Sequence, residues 1–198
     1  MISAKSENLS VYTPAEQAHL AAARQMAAEG MVLLENNGLL PMSAGTRLAV
    51  FGVGVYEFAI GGHGSGAVSG AGRVDLPQAL SDAGFIVYGG LEDAYRAHID
   101  HIESEKLKLS FFDRPNGVTE MPMTPELVDK AAAFSDTALV VISRVAGEGA
   151  DRKAVPGDYY LNSDEEDLLS MVRAAFSNVA VVLNIANIMD MSFVDAYS

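Results

Sequence analysis

The chain has 198 residues, 49% of them hydrophobic, with 26 Asp and Glu against 13 Lys and Arg and a net charge of −13 at pH 7. That length allows one sizeable core, with two small domains as the other arrangement; no apolar run approaches the roughly 20 residues that cross a bilayer, and the charge opposes a sizeable nucleic-acid footprint. The absence of cysteine excludes disulfides, thiolate metal sites and cysteine nucleophiles and agrees with a cytoplasmic location, as does a start, Met1 to Glu7, without the features of a signal peptide.

In chain order, Thr13, Pro14 and Glu16 read as a capping box with proline at the first helical position, opening an alanine-rich helix to about Glu29 that Gly30 ends. Met31 to Leu34 is a short apolar stretch turned by Asn36-Asn37-Gly38, and Pro41 interrupts any regular element there. Leu48 to Val53 reads as a first buried strand that feeds a glycine-rich loop, Gly61 to Gly72. Asp75 then caps a short helix to about Ala83, and Phe85 to Tyr88 is a second strand. A helix from about Leu91 to Leu109 carries Leu91, Tyr95, Ile99, Ile102 and Leu109 on one face. Ser110 to Thr124 is an irregular connection of a length that often serves as a lid or binding loop. Thr124-Pro125 starts a helix to about Ser135, and Thr137 to Ser143 is the most apolar strand to that point. Ser163 and Glu166 read as a second capping box, for a helix whose buried stripe is Leu168, Leu169, Val172, Ala175 and Phe176; Val179 to Ile185 is the last strand.

Continuous apolar strands alternating with amphipathic helices predict a predominantly parallel sheet covered on both faces, a three-layer α/β/α sandwich. Ligands of such sheets bind beyond the carboxyl ends of the strands. That rule singles out two loops, the glycine-rich one and Gly147-Glu148-Gly149-Ala150-Asp151-Arg152. If the strands at 48–53 and 137–143 are neighbours, both loops face one crevice. Glu148, flanked by two glycines, sits on backbone that a ligand can approach closely, where a proton donor is useful. Its plainer reading is an exposed acid paired with Arg144 or Arg152.

The glycine-rich loop lines a polar, uncharged ligand in one reading and is a surface loop in the other; the acidic chain is compatible with a neutral ligand such as a sugar. A nucleotide site is disfavoured, because Glu57 stands where a third glycine would follow Gly52-Val53-Gly54 and no Gly-Lys-Ser/Thr occurs. His98, His101 and Glu105 have a spacing that metals use, but a solvated helix face explains them as well, and no metal or cofactor is expected. His63, inside the glycine-rich loop, can donate to a hydroxyl. Ser65 is not a nucleophile elbow, since Ala67 occupies the second glycine position of that motif.

Four stretches in order carry a family resemblance: Ala28 to Pro41, Gly61 to Val68, Ser143 to Arg152 and Val182 to Asp190. Together they resemble the α/β sandwich domain of family 3 glycoside hydrolases, a group exemplified by bacterial β-glucosidases. The resemblance runs from about Pro14 to the C-terminus. It implies a retaining mechanism in which a TIM-barrel domain holds the nucleophilic aspartate and the sandwich supplies the general acid/base and part of the sugar site. On that basis Glu148 matches the acid/base glutamate and Asp151 and Arg152 its continuation. Gly64, Ser65 and Gly66 match the loop beside the sugar subsite, with His63 and Arg144 as further substrate-binding candidates. A start directly in this domain resembles the permuted subgroup, in which the sandwich precedes the barrel.

The resemblance further implies that residues 1–198 form a single sandwich domain, incomplete at its C-terminus, whose partners are a small saccharide and a barrel domain absent from the chain. The chain alone is then expected to be inactive and, with docking surface uncovered, to favour self-association. The alternative is a non-catalytic carbohydrate-binding or interaction module in which Glu148 only hydrogen-bonds a ligand.

Overall fold

β3 (Thr137–Arg144) is the hub of the sheet in the computed structural model, which describes residues 12–62, 66, 75–110, 117–146 and 153–197. It pairs in parallel with β1 (Arg47–Phe51) on one side and β4 (Asn178–Ile185) on the other, and β1 pairs in parallel with β2 (Ile86–Val87), giving the order β2-β1-β3-β4. Leu48 to Phe51 of β1 and Thr137 to Ile142 of β3 are buried without alternation, because both faces of a parallel sheet are covered.

The covering helices are α2 (Leu76–Asp82), α3 (Glu92–Leu107), α4 (Pro125–Phe134) and α5 (Ser163–Ala175). α4 packs on α5 and β1, and α5 on β3. α2 packs on β2; the β1-to-β2 connection steps across the sheet opposite to the β3-to-β4 one, which by the right-handed crossover rule assigns α2 to the face opposite α5. The predicted parallel α/β sandwich is therefore the fold observed. At its centre Phe51 meets Phe176 edge to face at 5.5 Å, beside Leu168 and Val172.

The described residues fall into two compact units. The smaller comprises 12–42. There α1 (Pro14–Glu29) opens with the predicted capping box: the Glu16 N–H donates to Thr13 Oγ1 at 3.3 Å and the Thr13 N–H to Glu16 Oε2 at 2.8 Å. Asn36 then builds the turn, its Oδ1 accepting from the Gly38 and Leu40 N–H groups and its Nδ2 donating to the Leu40 carbonyl. All other elements belong to the larger unit, ending with α6 (Phe193–Tyr197), which packs on α5.

Three local expectations are corrected. The capping box of α5 is Asn162 with Glu165, one residue before the predicted Ser163 and Glu166. This register turns Glu165 inward with Leu168, Leu169, Val172 and Phe176 and leaves Ala175 exposed. On α3, Leu109 lies past the helix end and is exposed; Lys106 takes the buried place, with Nζ reaching the Gly117 carbonyl at 2.5 Å and Glu103 at 2.6 Å. Asp75 flanks α2 as expected but makes no side-chain cap, its carboxylate lying 3.4 Å from Arg96 instead.

Candidate active site

The carboxyl edge of the sheet is shaped by how the chain leaves β1. Gly52 turns with φ 103°, and a Cβ there would lie 2.3 Å from the Val141 carbonyl oxygen. At Gly54 the same oxygen would be 2.8 Å away. Both glycines exist because backbone crosses backbone, which only a residue without Cβ allows. After one 3-10 turn, Val53–Val55, the chain runs on to Ala59, whose N–H and carbonyl are both bonded by the side chain of Asn184 near the end of β4. At Gly62 a Cβ would lie 2.9 Å from the Ala146 carbonyl oxygen, and the Gly62 N–H donates to the Gly66 carbonyl at 3.0 Å.

The described flanks of the two suspect loops thus meet. β1 and β3 are neighbours, and the start of the glycine-rich loop touches the chain leaving β3 two residues before Glu148. His63, Gly64, Ser65, Glu148, Asp151 and Arg152 themselves lie outside the described residues. So do 111–116 of the irregular connection. Gly66 is exposed.

Arg144, the last residue of β3, is buried, and its guanidinium is committed to protein partners. Nη1 and Nη2 donate to the two carboxylate oxygens of Glu165 at 2.6 Å each, Nε to the Asp158 carbonyl at 3.1 Å and Nη1 to the Ser143 carbonyl at 3.0 Å. Such a fork matches a carboxylate in both distance and plane. Glu165 is buried as well and also accepts from the Asn162 N–H at 2.9 Å. This one ion pair fastens the end of β3, the start of α5 and the segment around Asp158.

A second buried acid stands at the end of β1. Glu120 accepts from the Val53 N–H through Oε2 and from the Met121 N–H through Oε1, both at 2.9 Å, and bonds the Tyr95 hydroxyl. That hydroxyl accepts from the Gly52 N–H at 2.8 Å. Burial pushes the Glu120 pKa up to about 7, and the charge of Glu165 adds to the rise, while the three donors pull the other way. A carboxyl whose pKa is higher folded than unfolded gives stability that is complete below its unfolded pKa and lost as pH rises through its folded one. Folding stability is therefore expected to fall by about 3 kcal/mol between about pH 4.5 and pH 8 through this group. Glu120→Gln should flatten that stretch, which denaturant midpoints across the range would reveal; parallel profiles for the two proteins would refute the assignment.

Glu120, Tyr95, Asn184 and Glu165 were not among the expected site residues. Tyr95 reads as one more apolar position of α3, and its hydroxyl's partner at Gly52 lies 43 residues away. Asn184 had a signal only in belonging to one of the four resembling stretches. His98 turns Nε2 to the Thr119 carbonyl at 2.9 Å, and no cluster of three or more metal-binding side chains occurs among the described residues. Among those residues no helix is long and apolar enough to cross a membrane.

Residues 31–197 match the family model described as glycosyl hydrolase family 3 C-terminal domain. The chain is 35% identical over 183 residues to a beta-glucosidase of Ruminococcus albus, covering 91% of this chain and 19% of that protein. It is 31% identical over 204 residues to beta-glucosidase A of Butyrivibrio fibrisolvens, covering 90% and 24%. Among solved structures, beta-glucosidase 3B from Thermotoga neapolitana in complex with glucose superposes with a TM-score of 0.81 at 34% identity, over 93% of this chain and 27% of that one. The chain thus spans between 19% and 27% of the length of these relatives.

Proposed function

The chain belongs to the family of glycosyl hydrolase family 3 C-terminal domains, and on that premise we propose that it is the sandwich-domain part of a retaining β-glucosidase-like hydrolase. In this reading Glu148 protonates the leaving glycosidic oxygen and later activates the water that releases the sugar. The nucleophilic aspartate belongs to a barrel domain outside these residues. His63, Gly64, Ser65, Gly66, Asp151 and Arg152 form the sandwich side of the sugar site. Arg144 serves it by fastening the chain on either side of the Glu148 loop, to Ser143 and to Asp158.

One observation carries the reading. The Gly-Glu-Gly-x-Asp-Arg motif comes after the carboxyl end of β3, and the backbone that leads into it lies against Gly62 at the mouth of the glycine-rich loop. The parallel-sheet rule expects a ligand at that edge.

A retaining glycosidase needs two carboxyl groups roughly 5–5.5 Å apart across the scissile bond. The chain supplies one of them in this reading, so the purified 198-residue chain is expected to hydrolyse aryl β-glucosides and β-xylosides no faster than background. Turnover that survives purification and vanishes in Glu148→Gln would place both carboxylates within these residues and overturn the division of labour.

A further inference from the structure

At the carboxyl edge a side chain satisfies both polar backbone groups of a single residue far away in sequence. Asn184 Oδ1 accepts from the Ala59 N–H at 2.6 Å, and its Nδ2 donates to the Ala59 carbonyl at 3.1 Å. Oδ1 also accepts from the Ser143 hydroxyl at 2.9 Å. Ser143 and Asn184 are register partners in β3 and β4, so their side chains stand next to each other on one face of the sheet. The amide therefore binds Ala59 as an adjacent strand would: the Ala59 N–H and carbonyl fix which way it points, and the serine hydroxyl donates to the same Oδ1.

Among side chains of this size only a carboxamide does this. Aspartate lacks the N–H that meets the Ala59 carbonyl, and leucine lacks both groups. Asn184, Ser143 and Ala59 are each half-buried, so water competes only in part for these bonds. Upstream, the crossing segment is held by the Tyr95 hydroxyl at Gly52 and Glu120 at Val53. Downstream, Gly62 lies against the Ala146 backbone, where a Cβ would come within 2.9 Å of the carbonyl oxygen.

We propose that Asn184 is a positioning residue for the sugar site: it fixes where residues 59–62 cross the ends of β3 and β4 beside the backbone that leads to Glu148. The proposal rests on the β-glucosidase reading above. It assigns Asn184 no contact with sugar and no part in proton transfer.

The test uses the complete enzyme that carries this domain, with Asn184→Asp, Asn184→Ala and, as a separate control, Glu148→Gln. Both Asn184 variants are expected to raise KM and the inhibition constant of glucose about tenfold, a change worth about 1.4 kcal/mol. The factor should be the same for aryl and alkyl β-glucosides, with the pH profile of kcat unmoved. Asn184→Asp matches the native side chain in size and covers the case in which Asn184→Ala fails to fold. Amide hydrogen exchange gives a second reading: in Asn184→Ala protection should fall at Ala59 and persist at Ala49 in the core of β1, whereas Asn184→Asp, whose carboxylate still accepts from the Ala59 N–H, should keep it. Unchanged KM and glucose inhibition, or equal loss of protection at both amides, would overturn the proposal, the latter because Asn184 would then hold the fold as a whole. If Glu148→Gln is silent, the β-glucosidase reading itself fails; if Glu148→Gln acts and the Asn184 variants do not, only the positioning role is wrong.

Discussion

Glu148→Gln in the complete enzyme is expected to lower turnover of alkyl β-glucosides by roughly 10²- to 10⁴-fold, the range of a lost general acid. An alkoxide leaves poorly, so the glycosidic oxygen must gain a proton as its bond breaks. A nitrophenolate leaves unaided, and kcat/KM for an aryl glucoside, which reports the first step, should fall far less. The second step still needs a base to activate water, so the aryl substrate should show a burst followed by slow steady turnover. Comparing the two substrate classes isolates the role. Equal losses on both would rule out proton donation to the leaving group.

The largest effect on stability is expected at the ion pair of Arg144 and Glu165. Arg144→Met leaves a buried carboxylate without its counter-charge, which costs roughly 3–5 kcal/mol. Glu165→Leu should cost as much, with about 1 kcal/mol more because the capping of α5 goes with it. The double variant should recover most of the loss, since two apolar side chains pack together without the desolvation that the charges incurred. It should remain short of the wild type by about the value of the cap, roughly 1 kcal/mol. Urea unfolding of the four proteins provides the comparison. Single variants within about 1 kcal/mol of the wild type would show that water screens the pair as it does at a surface.

Arg144 also marks where sequence reading stops. As an arginine near a candidate acid it suggests a ligand contact, and only the fold brings Glu165, 21 residues on, within reach of its fork. β3 was legible throughout, because a strand buried on both faces is a continuous apolar run. For β1 the apolar pattern runs on through Gly52 and Val53, yet the positive φ at Gly52 ends the strand at Phe51. At β2 only Ile86 and Val87 pair, fewer than the four residues expected from Phe85 to Tyr88. For α5, Asn162-x-x-Glu165 and Ser163-x-x-Glu166 both satisfy the capping pattern, and what decides between them is the burial of Glu165 beside Arg144. The glycine-rich loop and the Glu148 motif were visible as residues. The groups that support their flanks were not, for Asn184 meets Ala59 across 125 positions and Glu120 meets Val53 across 67. Periodicity and spacing describe neighbours along the chain; they carry no information about such pairs.

The crossing at Gly52 and Gly54 limits how this domain can diverge. Each glycine lies against the same carbonyl of β3, so a side chain at either place has nowhere to go unless the strand beneath moves with it. Single substitutions therefore cannot reshape this corner step by step. Variation is directed instead to residues that hang from it, where a loop can lengthen, shorten or change its chemistry while the crossing that carries it stays as it is.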